Sequence, residues 1–365
     1  MTLLLFALLG VCLFWGAKIS KRKEWNEDVL SFAQTKSFLG FCALIIILHH
    51  CSQRTCAPWL PEFRIVHGLD DFVFWGYLCV AVFFFCSGYG MYTSFHKKEG
   101  FFKGYYKRIL KILIPTIVVW ITFFMVEKGK GMRIPKPVWY NTFDYIWYIP
   151  AMIYMYLIFY FSFRFIKKET LSVVAVFIGT CIYFVLCMFF SPGTWWYNTP
   201  HLFIVGIITA RHKEKIGSFF KKGYPFWIAL SLIITFVGFA ISNYYYPFAV
   251  IFGWGMDDKS HFIAELTGQV ISALTFVIFV MLIGLKIKIG NKVLAFLGGF
   301  TLELYLVHPL FVQLFSYAFM QDSVKPLYHI KNPFLYSAAV AVVAIPLAFG
   351  LHKLVTLITG SKKNS

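Results

Sequence analysis

Long apolar runs dominate this sequence, and they narrow its fold more than any other feature. Several exceed the roughly 18 residues that mark a spanning helix, and each is read as one crossing of a bilayer. Eleven such spans are expected, at about 2–19, 37–55, 72–94, 109–126, 145–163, 171–190, 196–210, 225–245, 263–284, 295–319 and 334–358. The fold class is therefore all-α, a polytopic membrane helix bundle. Composition excludes a soluble protein: 59% of residues are hydrophobic and only 14% charged, about half the usual soluble share. The loops are too short to carry an attached soluble domain, so any chemistry occurs in or beside the bilayer. No long internal repeat is visible, nor a pair of interrupted spans of the transporter kind.

The net charge of +18 is not the signature of a nucleic-acid partner. The basic residues cluster between apolar runs, as positive-inside topogenic charge does. Alternate segments 18–36, 97–111, 164–168, 211–222, 286–292 and 353–363 carry 25 of the 34 Lys and Arg. That split predicts a cytoplasmic location for them, with the N-terminus outside and the C-terminus inside. The first run lacks preceding basic residues and a small-residue cleavage site, and a basic segment follows it, so it reads as an uncleaved anchor. Residues 1–33 form this anchor and its basic tail, and 34–365 form the main membrane domain. Most of the eight cysteines lie in apolar runs as small hydrophobes. A bridge between Cys51 and Cys56 at one helix end is a minor alternative. No Cys/His spacing suits a metal.

Ionisable groups inside spans are costly and mark function by default. His49, His50, His201, Glu265, Glu303, His308 and His352 qualify. For His201, Glu265 and His352, a cross-helix hydrogen bond or headgroup contact suffices. His50 lies roughly 21 Å along its outward-running span and His308 roughly 20 Å along its own, at 1.5 Å per residue, so the two imidazoles share a depth, as groups lining one cavity would, although sequence does not show that their helices touch. Glu303 lies roughly 12 Å up the His308 span and about 140° around the helix from that histidine. It is expected to pair with another helix or a ligand. Pro309 removes the helical hydrogen bond to the Tyr305 carbonyl. At the basic end, Lys107, Arg108 and Lys111 form a cluster suited either to phosphate or to anionic lipid, and Arg108 and Lys111 share a helix face. Charge alone favours lipid.

Five separated pieces, in order, resemble the acyltransferase-3 family of integral membrane acyltransferases. They are Gly40-Phe41-Cys42-Ala43-Leu44-Ile45-Ile46-Ile47-Leu48-His49-His50, Phe83-Phe84-Phe85-Cys86-Ser87-Gly88-Tyr89-Gly90, Arg108-Ile109-Leu110-Lys111 followed by Pro115, Trp147-Tyr148-Ile149-Pro150-Ala151, and Leu302-Glu303-Leu304-Tyr305-Leu306-Val307-His308-Pro309. The resemblance covers about residues 34–358 and leaves the first span outside. Two positions depart from the pattern. Leu39 stands where the family carries a basic residue, with Lys36 one turn earlier as a substitute, and Lys111 replaces the second arginine of R-x-x-R, losing its bidentate fork.

The resemblance implies transfer of an acyl group, usually acetyl, from cytoplasmic acyl-CoA to a hydroxyl of a cell-envelope glycan or related lipid-linked acceptor. No metal cofactor is implied. Lys107, Arg108 and Lys111 would hold the CoA phosphates. His50, chosen over His49 by its spacing from Gly40, would be the general base, with a covalent acyl-His step as an open alternative. Glu303 would orient a catalytic group or hold substrate, and His308 would position the acceptor or assist proton transfer. Trp195, Trp196, Tyr197 and residues 244–246 suit sugar stacking, but an interfacial aromatic belt is the better explanation. A transporter or flippase of a glycan or lipid precursor is the rival reading, and an inactive membrane scaffold a third.

Overall fold

A computed structural model describes residues 2–60, 64–65, 68–130, 146–190, 193–316 and 329–360. Of the Lys and Arg counted above, Arg133, Lys136, Lys325, Lys362 and Lys363 lie outside the described residues. Among the described residues, eight helices are long and apolar enough to cross a membrane. They are α2 (Phe32–Gln53), α3 (Gly76–Lys97), α4 (Tyr106–Gly129), α5 (Tyr148–Phe165), α6 (Glu169–Phe190), α9 (Tyr224–Asn243), α11 (Asp258–Lys286) and α14 (Pro333–Ile358). The chain is a multi-pass, all-α bundle. Three expected spans are shorter helices: α1 (Thr2–Phe14), α7 (His201–Arg211) and α13 (Thr301–Leu314). Three further short helices were not anticipated: α8 (Lys213–Lys222), α10 (Tyr245–Phe252) and α12 (Lys292–Leu297).

Within the described part of the run read as one span at 295–319, two helices, α12 and α13, are separated by a break at 298–300. The break has a steric cause. A Cβ on Gly298 would lie 1.8 Å from the Lys36 carbonyl oxygen, and one on Gly40 would lie 2.0 Å from the Leu294 carbonyl oxygen. The two glycines let α2 and the 292–299 segment touch backbone to backbone, as small residues do between membrane helices. Asn291 caps α12, its Oδ1 accepting from the N–H groups of Val293 and Leu294, which satisfies donors the new helix end would orphan. Gln34 completes the clamp: its amide donates to the Ile289 carbonyl at 3.0 Å and accepts from the Ile289 N–H at 2.9 Å.

α3 and α7 meet in the same manner. A Cβ on Gly88 would lie 1.9 Å from the Phe203 carbonyl oxygen, and one on Gly206 would lie 2.2 Å from that of Phe85.

The basic segments that the charge count grouped together converge on one end of the bundle. Lys221 pairs with Glu27 at 2.5 Å and Lys288 with Asp28 at 3.5 Å. Arg211 pairs with Glu169 at 3.4 Å, and the Tyr92 hydroxyl also donates to Glu169. The N-terminal segment is stitched to the core rather than apart from it. Lys18–Ile19 (β1) pairs antiparallel with Ile287–Lys288 (β2). Asn291 donates to the Cys12 carbonyl, and Phe6 stacks on Phe72 at 5.3 Å. None of the eight cysteines is joined in a disulfide. Cys56 Sγ accepts from the Leu69 N–H rather than bridging to Cys51.

Candidate active site

A cavity of about 720 Å³ opens at the basic end and runs up between α2, α3, α4, α5 and α13. Its volume suits a small-molecule site. Each of the five sequence pieces singled out above places a side chain on its wall: Ile46, Ser87, Arg108, Tyr148 and Tyr305. Lys36, Lys97, Lys98 and Lys213 add positive charge near the mouth, beside Glu27 and Asp28. The break before α13 brings that helix's N-terminus, Thr301 and Leu302, onto the wall, and no side chain caps it. Exposed N–H groups and the helix dipole make such an end favourable for negative charge.

Above the cavity sit two histidines. His50 and His308 are buried, and His50 Nδ1 lies 2.6 Å from His308 Nε2 with the rings nearly parallel. They follow Ile46 by four residues and Tyr305 by three, so the pair stands about one helical turn, 5–6 Å, beyond the deepest wall. His308 Nδ1 lies 2.8 Å from the Leu304 carbonyl oxygen. A carbonyl only accepts, so this nitrogen carries the proton. In neutral His308 the lone pair is then on Nε2, which accepts from His50 Nδ1–H. The basic lone pair of neutral His50 is therefore on Nε2. Arg54, one turn further along α2, is also buried.

His49 is turned elsewhere. Its Nδ1 lies 2.9 Å from the Phe72 carbonyl oxygen, and its ring occupies the space that a side chain at position 76 would fill. Glu303 is also away from the cavity wall. Its Oε1 lies 2.9 Å from His352 Nδ1 on α14. Glu303 is thus a buried tie between α13 and α14. The basic cluster divides accordingly. Arg108 lines the cavity with its guanidinium 4.9 Å from the centre of the Phe101 ring, whereas Lys107 and Lys111 are exposed beside it. Tyr105, just before α4, donates to the Tyr156 carbonyl at 2.8 Å, and burial pushes its phenol above the usual range.

Sequence reasoning missed the pairing of His352 with Glu303 and the mouth lysines Lys97, Lys98 and Lys213. The tilt and packing of helices decide both. An interrupted apolar run, Gly298-Gly299, was the one local signal for the break that opens the α13 N-terminus.

Comparison with known families and proteins agrees with this convergence. The model of the acyltransferase-3 family, described as an acyltransferase domain, matches residues 40–353. No similar curated protein and no similar solved structure was found. The matched stretch contains every cavity-lining piece named above and both histidines, and excludes α1. With most of its length matched, and with the family's separated motifs folded around one cavity, this chain belongs to the acyltransferase-3 family of membrane acyltransferases.

Proposed function

We propose that the protein moves an acetyl group from acetyl-CoA to a hydroxyl of a cell-envelope glycan or lipid-linked acceptor. The observation carrying this reading is the ordered chain Leu304 carbonyl, His308, His50, set about one helical turn beyond the wall of a basic-mouthed cavity. In this reading the basic end faces the cytoplasm. The CoA phosphates lie among Arg108, Lys36 and the neighbouring lysines, with the uncapped α13 N-terminus as a further anion partner. Arg108 takes the bidentate role. Lys107 and Lys111 contribute charge from the rim.

His50 Nε2 removes the proton from the acceptor hydroxyl as its oxygen attacks the thioester carbonyl carbon. The C–S bond breaks, and the imidazolium returns its proton to the departing CoA thiolate. His308 accepts from His50 Nδ1–H throughout, which orients the ring and stabilises the imidazolium, as the third member of a catalytic triad does. Glu303 acts from behind, fixing α13 through His352.

Purified protein incubated with radiolabelled acetyl-CoA and a cell-envelope extract tests this reading. Label is expected in the extract with the wild-type chain. His50→Ala is expected to lose roughly 10²–10⁴ in rate, the usual contribution of a general base, while His49→Ala keeps most of the activity. Equal loss from both substitutions, or none from either, removes the proposed base.

A further inference from the structure

The segment entering α7 carries polar side chains to a depth where they are costly. α7 has 11 residues and ends at Arg211, at the basic end. It is about 16 Å long against a hydrocarbon core of about 30 Å, so its start at His201 lies near mid-bundle. The backbone before it is a 3-10 turn, Thr194–Trp196, and then irregular. Non-helical backbone at such depth is tolerated where it is buried in protein or lines a cavity.

Its side chains form a nest with α11. Thr194 Oγ1 donates to Glu265 Oε1 at 2.9 Å, Gln269 Nε2 donates to the same oxygen at 3.1 Å, and Asn198 Nδ2 donates to Gln269 Oε1 at 2.9 Å. Three more polar atoms, Asn198 Oδ1, Thr199 Oγ1 and His201 Nε2, are buried with no hydrogen-bond partner among the described residues. Asn198 and Thr199 are 2% and 0% exposed. Unsatisfied buried polar atoms are rare and costly, and three within four positions call for a ligand.

The chemistry of the nest points to one class. It offers an amide oxygen, a hydroxyl and an imidazole nitrogen, with no Lys or Arg among them, which suits neutral hydroxyl groups rather than an anion. Trp195, half-exposed, stands beside it as an apolar face. α3 packs against both α2 and α7, so the nest lies one helix away from His50. Its depth is similar: Gln269 is about 26 Å from the basic end of α11, by the helical rise.

We propose that this nest is the subsite for the hydroxyl-rich portion of the acceptor, a neutral polyhydroxylated group seated on Asn198, Thr199 and His201. The proposal rests on the acyl-transfer reading above.

Thr199→Val removes the hydroxyl and keeps the side-chain shape. In a purely structural role the loss of an unbonded buried hydroxyl leaves thermal stability equal or higher and transfer kinetics unaltered. As a subsite residue, its loss raises the amount of envelope extract needed for half-maximal label transfer by about fivefold or more, the worth of one hydrogen bond. The half-saturating acetyl-CoA concentration stays where it is. Asn198→Ala is expected to act in the same direction, and it decides the matter if Thr199→Val does not fold. Unchanged extract half-saturation in the folded variants overturns the subsite and leaves the transfer reading standing. Absence of label transfer by the wild-type chain overturns both.

Discussion

The tautomer of His50 is set at a distance, by the carbonyl of Leu304 acting through His308. Constant helical rise was enough to place both imidazoles at one depth from sequence. That their helices adjoin was not readable, because it depends on how α2 and α13 pack. The basic cluster shows the opposite limit. A shared face for Arg108 and Lys111 follows from a three-residue spacing, yet one lines the cavity and the other is exposed beside it. Different effects are therefore expected from the two. Arg108→Ala should raise the half-saturating acetyl-CoA concentration about tenfold or more, as loss of a charge-assisted bidentate contact does. Lys111→Ala should raise it by less, because an exposed rim charge makes a weaker, solvent-screened contact. Equal shifts in the two variants would return both residues to one phosphate clamp. His352 was legible only as a polar residue near a span end. Its partner, Glu303, stands 49 positions away, and no periodicity connects them.

Among the elements, the eight long spans were readable because hydrocarbon leaves a long apolar run little choice but helix. The short ones were not, because each is interrupted for a tertiary reason. Gly298 is the clearest instance: its place is dictated by the Lys36 carbonyl of another helix. Gly298→Ala should force these backbones apart, lower stability by about 1–3 kcal/mol as overpacking does, and weaken acetyl-CoA saturation by displacing Lys36 from the cavity wall. Gly350→Ala, with nothing within 4 Å of the added carbon, should change neither. Thermal unfolding and donor titration of the two variants provide the comparison, and equal behaviour would contradict the clamp. α7 teaches the same lesson, since its polar entry at Asn198 and Thr199 is buried against α11.

At the scale of the whole molecule, the grouping of basic segments at one end was legible in charge alone. Which side of the membrane that end faces is a separate matter with its own test. In a cysteine-depleted background, an impermeant thiol reagent added from outside should label a cysteine engineered within 251–260 and spare one within 212–218. The reverse pattern would invert the proposed orientation and move the donor cavity outside. The long closures between distant segments also impose an order on biogenesis. β1 finds its partner strand 270 positions later, and His50 meets His308 across 258. At ribosomal speeds of about 5–20 residues per second, those partners emerge roughly 15–50 s apart. Until then the first helices sit in the membrane with an unpaired strand and an imidazole whose tautomer nothing yet directs, so chemical competence arrives late in synthesis, with the penultimate crossing.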